Sequence, residues 1–500
     1  MPALSESAAA SPDKLAVIEG ADGARWRTYG ELSSRVNQAA RAYARLGATP
    51  GSRVAAMLPN GVELIEVGCA TAVAQCAFVP INYHLKADEL SYVLADSATR
   101  VLVTSPELET VARDATAALD CAILVTGTSY EEALLAEDDS PVDGAWATPT
   151  WMFYTSGTTG RPKGVVHGEL LPELMNASQA GLVALWGFTP DDVHCLAGPG
   201  YHAGPGGYCF TTLWLGATVV TLTAWNARDF LAAVQQHRIS TTFLTPAHLI
   251  RILEVPDASA YDLSSLRLIV HAGAPCPLDV KRRILDLLPH TEVSELYGAS
   301  EGGVSRITAA EWRERPGSVG TTWPGVEVRI VSSTGAPVPV GEDGLIYVRP
   351  AGGRRFHYHG DADKTAAAWQ DDAFTVGDIG HVDADGYLYI TDRANDMVIW
   401  GGVNVYPREI EEVLHRHPAV VDCAVFGVPD DRYGEVLKAV VELRSPLDEE
   451  SLRTHVRDRL ADFKVPTYVS IVDTLPRDPN GKVLKRLLRE EHMKAGEPPP

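Results

Sequence analysis

Short apolar runs alternate with longer amphipathic stretches through the first part of the chain. Leu15-Ala-Val-Ile18, Val54-Ala-Ala-Met-Leu58 and Val101-Leu-Val103 read as buried strands, and residues 29–46 carry a helical repeat that stops at Gly47, where a helix C-terminus favours glycine. Strands alternating with helices indicate a layered α/β domain with a largely parallel sheet. The apolar stretch 67–79 carries Gln75, is too short to span a membrane, and reads as a buried helix. Residues 131–149 are acidic and bounded by proline, which indicates a loop. The rhythm resumes with a helix at 170–186, a strand at 192–196, a Gly/Pro-rich loop at 198–208 able to line a pocket, and an apolar run to Val220. Strand-then-turn patterns follow at 241–246 and 266–275, and another strand segment at 293–302. From 317 to 349 the pattern changes to short strands split by Pro and Gly, as in a small antiparallel barrel or sheet, and strand-like pairs continue to 393. Helices at 407–417 and 449–460 then indicate a separate α+β unit, so the expected division is 1–393 and 394–500.

Five hundred residues exceed one core, and a hydrophobic content of 45% is ample for several. Lys and Arg total 43 against 65 Asp and Glu, a net charge of −22, which argues against nucleic acid as a general partner. An anionic ligand must therefore be held locally. The N-terminal stretch lacks a basic region followed by an apolar one, so the cytoplasm is the expected location, and no segment has the length of a membrane span. Seven cysteines without a Cys-x-x-Cys disfavour a disulfide framework or a zinc site.

One such local site is Tyr154-Thr-Ser-Gly-Thr-Thr-Gly-Arg-Pro-Lys-Gly164. Its glycines free the backbone to turn N–H groups toward one point, and four hydroxyls (Thr155, Ser156, Thr158, Thr159) and Lys163 crowd the same loop. It reads as a phosphate cradle whose ends are fixed by apolar runs on both sides. The P-loop pattern itself fails, because Pro162 separates Gly160-Arg161 from Lys163. A rival motif, Gly298-Ala-Ser-Glu-Gly302, fits the nucleophile elbow of a serine hydrolase using Ser300. That elbow must lead directly into a helix, and Gly302-Gly303-Val-Ser-Arg is a poor helix start.

The cradle, Tyr297-Gly-Ala-Ser-Glu301, Val376-Gly-Asp378, Asp392-Arg393 with Gly401-Gly402, and Arg477-Asp-Pro-Asn-Gly-Lys482 occur in the order found in the AMP-forming adenylate synthetases, the superfamily of acyl-CoA synthetases, adenylation domains and luciferases. The chain resembles that family over nearly its whole length. The resemblance implies a large N-terminal domain of two layered α/β subdomains plus a small distorted β-barrel, with a smaller, mobile α+β C-terminal domain. It also implies roles. Thr155, Ser156, Gly157, Thr158, Thr159, Gly160 and Lys163 would hold the β- and γ-phosphates of ATP; Glu301 would ligate Mg²⁺; Ser300, with Gly298 in the same motif, would touch the α-phosphate. Tyr297 would stack on adenine against a wall of Gly273, Ala274 and Pro275, with Glu295 accepting from the exocyclic amine, and Asp378 and Arg393 would bind the ribose. Lys482 would bridge the carboxylate and the α-phosphate. Tyr201, His202, Ala203, Gly207 and Tyr208 would line the acyl pocket, and Gly401 and Gly402 the passage for the thiol of CoA.

Three positions depart from the family pattern: the hinge is Asn395, Val376 replaces the hydroxyl before Gly377, and Ser300 stands for the usual Thr. The implied activity is ATP-dependent adenylation of a small-molecule carboxylic acid, releasing pyrophosphate, followed by transfer to CoA. Adenylation toward a carrier protein or an amine, including nitrite activation toward an amine, is the alternative; a serine hydrolase is the remote one.

Overall fold

A computed structural model describes residues 4–145, 150–155, 162–167, 172–332, 334–394, 396–401, 403–430, 432–479 and 481–495. These residues form two compact units. The first comprises Met1–Leu244, Asp257–Val270 and Arg354–Ala367; the second comprises Thr245–Pro256, His271–Gly353 and Ala368–Pro500.

In the first unit, the strands Arg53–Met57, Ala77–Pro80 and Thr99–Thr104 lie side by side in parallel, extended by Ala122–Val125 on one edge and Thr150–Thr155 on the other. Their side chains are buried on both faces, as a helix-covered parallel sheet requires. The helix Tyr29–Arg45 covers this region as the sequence repeat indicates. Thr28 and Glu31 form a reciprocal capping box at its start, worth about 1 kcal/mol, and Gly47 takes φ +89° at its end. A second parallel group joins Val193–Leu196, Thr218–Thr221, Leu15–Glu19 and Thr241–Leu244.

Three sequence expectations need correction. Residues 67–79 are not one helix: the helix Val62–Val73 stops, Gln75 adopts φ +56°, and the strand Ala77–Pro80 follows. Residues 131–149 are not all loop, because Ser129–Leu135 is helical and Glu131 pairs with Arg35 at 2.9 Å. The Gly/Pro cluster 198–208 ends inside a helix, Ala203–Trp214. Two of its glycines serve packing: a Cβ on Gly204 would lie 2.5 Å from the Phe243 ring, and one on Gly206 would lie 2.2 Å from the carbonyl oxygen of Gly200.

The second unit is built from antiparallel strands. Glu292–Ala299 turns back into Gly302–Ile307, which pairs with Ser318–Thr322, then Leu388–Arg393, Asp378–Val382 and Gly344–Arg349. This is the expected run of short strands split by Pro and Gly. Toward the C-terminus, Val420–Asp430 and Gly434–Leu443 form a long hairpin, with Tyr468–Val472 parallel to it and the helices Pro407–His415, Glu449–Arg457 and Lys485–Ala495 alongside. That small α+β assembly carries its own apolar core, including Ile410, Val425, Val441 and Leu452.

Candidate active site

In the first unit, the ends of the phosphate loop are held by a hairpin. Thr150–Thr155 and Lys163–His167 pair antiparallel, with Thr155 opposite Lys163 and Tyr154 opposite Gly164. A Cβ on Gly164 would lie 2.4 Å from Met152 Cε, so a side chain there would push the methionine aside. Tyr154 donates to Asp96 Oδ2 at 2.6 Å, and the Lys163 ammonium sits 4.8 Å from the centre of the Tyr358 ring, a cation–π contact. Ser156, Gly157, Thr158, Thr159 and Gly160, named above for the cradle, lie outside the described residues.

The residues named for the acyl pocket gather at the start of the helix Ala203–Trp214. Tyr201 and His202 precede it with ring centres 4.8 Å apart, and Tyr83 meets Tyr201 edge-on at 5.8 Å. Tyr208 packs on Phe243 at 4.9 Å and on Phe188 at 6.0 Å. In contrast to its neighbours Gly204 and Gly206, Gly207 has nothing within 4 Å of where a Cβ would stand. Its missing side chain leaves space that no described residue fills.

The second unit carries a larger set. Ser300 and Glu301 form the two-residue tip of the hairpin between Glu292–Ala299 and Gly302–Ile307, with Ala299 opposite Gly302. A Cβ on Gly298 would lie 2.8 Å from the Gly302 carbonyl oxygen, so the tight return needs glycine. This removes the hydrolase reading: Ser300 stands at a strand-to-strand turn, and no helix follows it.

Tyr297, on the same hairpin, donates to Asp378 Oδ2 at 2.7 Å, while Arg393 Nε donates to Asp378 Oδ1 at 3.1 Å. Asp378 and Arg393 are register partners on neighbouring strands, so the backbone ladder sets this contact. Both carboxylate oxygens are engaged, yet each keeps a lone pair for a further donor. Burial, and then the Asp378 charge, push the Tyr297 hydroxyl well above its ordinary range. Gly377 takes φ +86° and donates its N–H to Thr375 Oγ1 at 3.0 Å.

Gly273 has φ +92°, and Gly273 and Pro275 are exposed, which leaves that wall open to a ligand; Ala274 between them is half-buried. Glu295 is buried beside Lys281 and His271, two residues that the sequence reading passed over.

Lys482 lies in a tight turn. Its N–H donates to Asp478 Oδ1 at 2.9 Å, the Asp478 N–H donates back to the Lys482 carbonyl at 2.8 Å, and Gly481 between them takes φ +85°. Arg477 braces the turn by donating to the Gly481 carbonyl at 3.0 Å and pairing with Asp422 at 2.5 Å. The Lys482 side chain is open to solvent, but protein crowds it. Partial burial and the Arg393 charge lower its pKa, against the pull of Asp478, Asp396 and Asp378. Gly401 takes φ +55° and donates to the Tyr433 carbonyl at 2.9 Å; Gly402 and Asn395 lie outside the described residues.

A crossed-over α/β sheet, a Gly/Thr-rich hairpin loop, a carboxylate braced by Tyr297 and Arg393, and a turn-borne lysine define the class of adenylate-forming enzymes. The chain belongs to the AMP-binding enzyme family: that family's model matches residues 4–353, and the model of its C-terminal domain matches residues 409–482. Feruloyl-CoA synthase from an Amycolatopsis species is 38% identical over 489 residues, 96% of each chain. ATP-bound MatB from Rhodopseudomonas palustris superposes with a TM-score of 0.86 at 30% identity, covering 97% of both chains. The amide bond synthetase McbA from Marinactinospora thermotolerans gives 0.84 at 30% identity, covering 98% of this chain and 99% of its own. The chain is an AMP-forming acid–thiol ligase, which adenylates a carboxylic acid and then forms its CoA thioester.

Proposed function

We propose that the chain activates an aryl carboxylic acid and that the residues above divide the work as follows. Thr155, Lys163 and the intervening loop hold the β- and γ-phosphates, where a lysine and several hydroxyls neutralise and hydrogen-bond the departing pyrophosphate. Tyr297 and the 273–275 wall hold the adenine, Glu295 takes its amine, Ser300 contacts the α-phosphate, and Asp378 with Arg393 takes the ribose hydroxyls. Lys482 stabilises the charge that develops as the acid attacks the α-phosphate, an effect worth on the order of 10²–10³ in rate for one well-placed donor. The observation that carries the proposal is the convergence of Tyr297, Asp378 and Arg393 by direct contact, with Lys482 within the field of the last two.

Magnesium is usually held by one or two carboxylates together with substrate phosphates, and a single carboxylate at the hairpin tip, Glu301, fits that donor set. A bound ion there would neutralise phosphate charge. ATP and CoA are cytoplasmic cosubstrates, and we place the reaction in that compartment. Residues 394–500 act as a small domain that turns about Asn395 between the two half-reactions, withdrawing Lys482 and presenting Gly401 and Gly402 to the CoA thiol.

An aryl acid is favoured by the unfilled space at Gly207, on the same helix as Tyr208, and by the acid named in feruloyl-CoA synthase. The test is ATP–pyrophosphate exchange over a panel of aryl and fatty acids, followed by product analysis with CoA. Exchange is expected with hydroxylated or methoxylated aryl acids; exchange restricted to long-chain fatty acids would contradict the aryl assignment. The similarity to McbA favours an amine as a further acceptor beside CoA. Amide formation from the same adenylate when an amine is supplied would support it.

A further inference from the structure

Lys281 lies on the helix Leu278–Leu287 and is fully buried, as is His271 at the end of the strand Leu268–His271. A buried ammonium costs several kcal/mol unless it is paired. Here its partners are the imidazole of His271, which takes a hydrogen bond from Lys281 Nζ at Nε2, and the carboxylate of Glu295, whose Oε2 lies 3.7 Å from both Lys281 Nζ and His271 Nε2. The Trp312 ring stands 6.0 Å from the ammonium on another side. The lysine and the carboxylate thus face each other directly with the imidazole beside both; burial lowers the Lys281 ammonium and raises the Glu295 carboxyl, and their mutual attraction opposes both shifts.

Glu295 sits two residues before Tyr297 on the strand Glu292–Ala299, so the two side chains leave the strand on the same face. Burial pushes the Glu295 carboxyl up, and Lys281, with Arg408 behind it, works against that rise. Protonation state matters for recognition: an ionised carboxylate only accepts hydrogen bonds, whereas a protonated one also presents a donor. An acceptor-only group complements the exocyclic amine of adenine and repels the 6-oxo group of inosine or guanine.

We infer that Lys281, with His271 fixing its direction, is a positioning residue that holds Glu295 as an acceptor-only carboxylate and thereby makes the enzyme select ATP over 6-oxopurine nucleotides. The inference rests on the reading that Glu295 faces the base. Neither Lys281 nor His271 touches the nucleotide in this scheme; both act through Glu295.

The experiment measures ATP–pyrophosphate exchange with ATP and with inosine triphosphate, using one saturating acid, for the intact enzyme, Lys281→Met, Glu295→Gln and the double variant. Glu295→Gln can present either end of its amide, so its ATP preference is expected to fall at least tenfold. Lys281→Met is expected to lose the preference to a similar extent, with KM for ATP raised and KM for the acid unchanged. The double variant should match Glu295→Gln alone, because the lysine acts only through the carboxylate. Where Lys281→Met fails to fold, Lys281→Gln keeps a polar group against His271 and is expected to show the same loss. Unchanged nucleotide preference in the folded Lys281 variant, beside a clear loss in Glu295→Gln, overturns the inference and leaves the Glu295 reading standing. Unchanged preference in Glu295→Gln removes that reading and the inference with it.

Discussion

Arg251 Nη2 and Glu442 Oε1 lie 2.8 Å apart, joining the helix Pro246–Leu253 to the long hairpin strand Gly434–Leu443. Glu442 is buried and also accepts from the Leu475 N–H at 3.2 Å, so its carboxylate is fixed in direction while Arg251 is the more movable partner. A Cβ on Gly481, one residue before Lys482, would meet the Ala247 Cβ of the same helix at 2.8 Å. The helix therefore receives both the ion pair and the lysine turn, and the pair stabilises the arrangement in which Lys482 is presented.

Arg251→Ala is expected to slow adenylation by about three- to tenfold, the range for a partly exposed pair worth roughly 1 kcal/mol. Thioester formation from a supplied acyl adenylate should stay level or rise, and Arg251→Lys should recover part of the loss. Equal loss in both half-reactions would show that the pair serves folding alone.

Burial and Arg393 lower the Lys482 pKa, so its ammonium is lost at a pH below the ordinary lysine value of about 10.4 as the solution is made alkaline. The cationic form is the useful one, and kcat/KM reports groups of the free enzyme. Adenylation kcat/KM is thus expected to fall on the alkaline side at a pH below the ordinary lysine value, while kcat holds to higher pH, because bound phosphate anions favour the ammonium. A pH profile of the exchange reaction checks this; an alkaline limb that persists in Lys482→Arg at the same pH contradicts it.

The open space at Gly207 should set acyl size. Gly207→Val is expected to reduce kcat/KM at least tenfold for a ring-bearing acid and to spare a short-chain acid, with KM for ATP unchanged. Competition assays between the two acids provide the readout. At Gly206, by contrast, any side chain collides with the Gly200 backbone, and a lower Tm with both acids equally affected is expected.

Asp422 is buried; burial alone would raise its carboxyl, but His415 and Arg477 overcome this and hold it at about 2. An acid depressed from its ordinary value of about 3.9 contributes stability that is complete above that pH and is lost as the pH falls toward 2. Asp422→Asn is expected to lose about 3–5 kcal/mol at neutral pH, the usual cost of breaking a buried pair. It should also slow adenylation, because Arg477 braces the Lys482 turn. Denaturant unfolding at pH 7 and pH 3 checks the first point: the difference between the two proteins should shrink at the lower pH.

Much of this was legible in the sequence where period and punctuation agreed. The strands flanking the phosphate loop, the helix closed by Gly47 and the antiparallel run after Gly317 emerge from apolar spacing and turn residues alone. The helix Ala203–Trp214 was hidden because its glycines read as loop, whereas Gly204 and Gly206 serve close packing against Phe243 and Gly200. Lys281 was hidden for the opposite reason. Within a stretch as charged as Lys281-Arg-Arg283 a lysine reads as solvated, although Lys281 shares the buried stripe of Val280, Ile284 and Leu285. That placement was the available signal. Thr375, whose hydroxyl accepts from the Gly377 N–H, was missed because the motif position one residue later is the one that usually carries the hydroxyl.

The most direct test of the scheme separates the two half-reactions in Lys482→Ala. ATP–pyrophosphate exchange is expected to fall by at least two to three orders of magnitude, in line with loss of a donor aimed at developing charge. Thioester formation from a chemically supplied acyl adenylate and CoA should stay near the unmodified rate. A variant that loses both half-reactions equally, or keeps exchange, would contradict the assignment of Lys482 to the adenylation step.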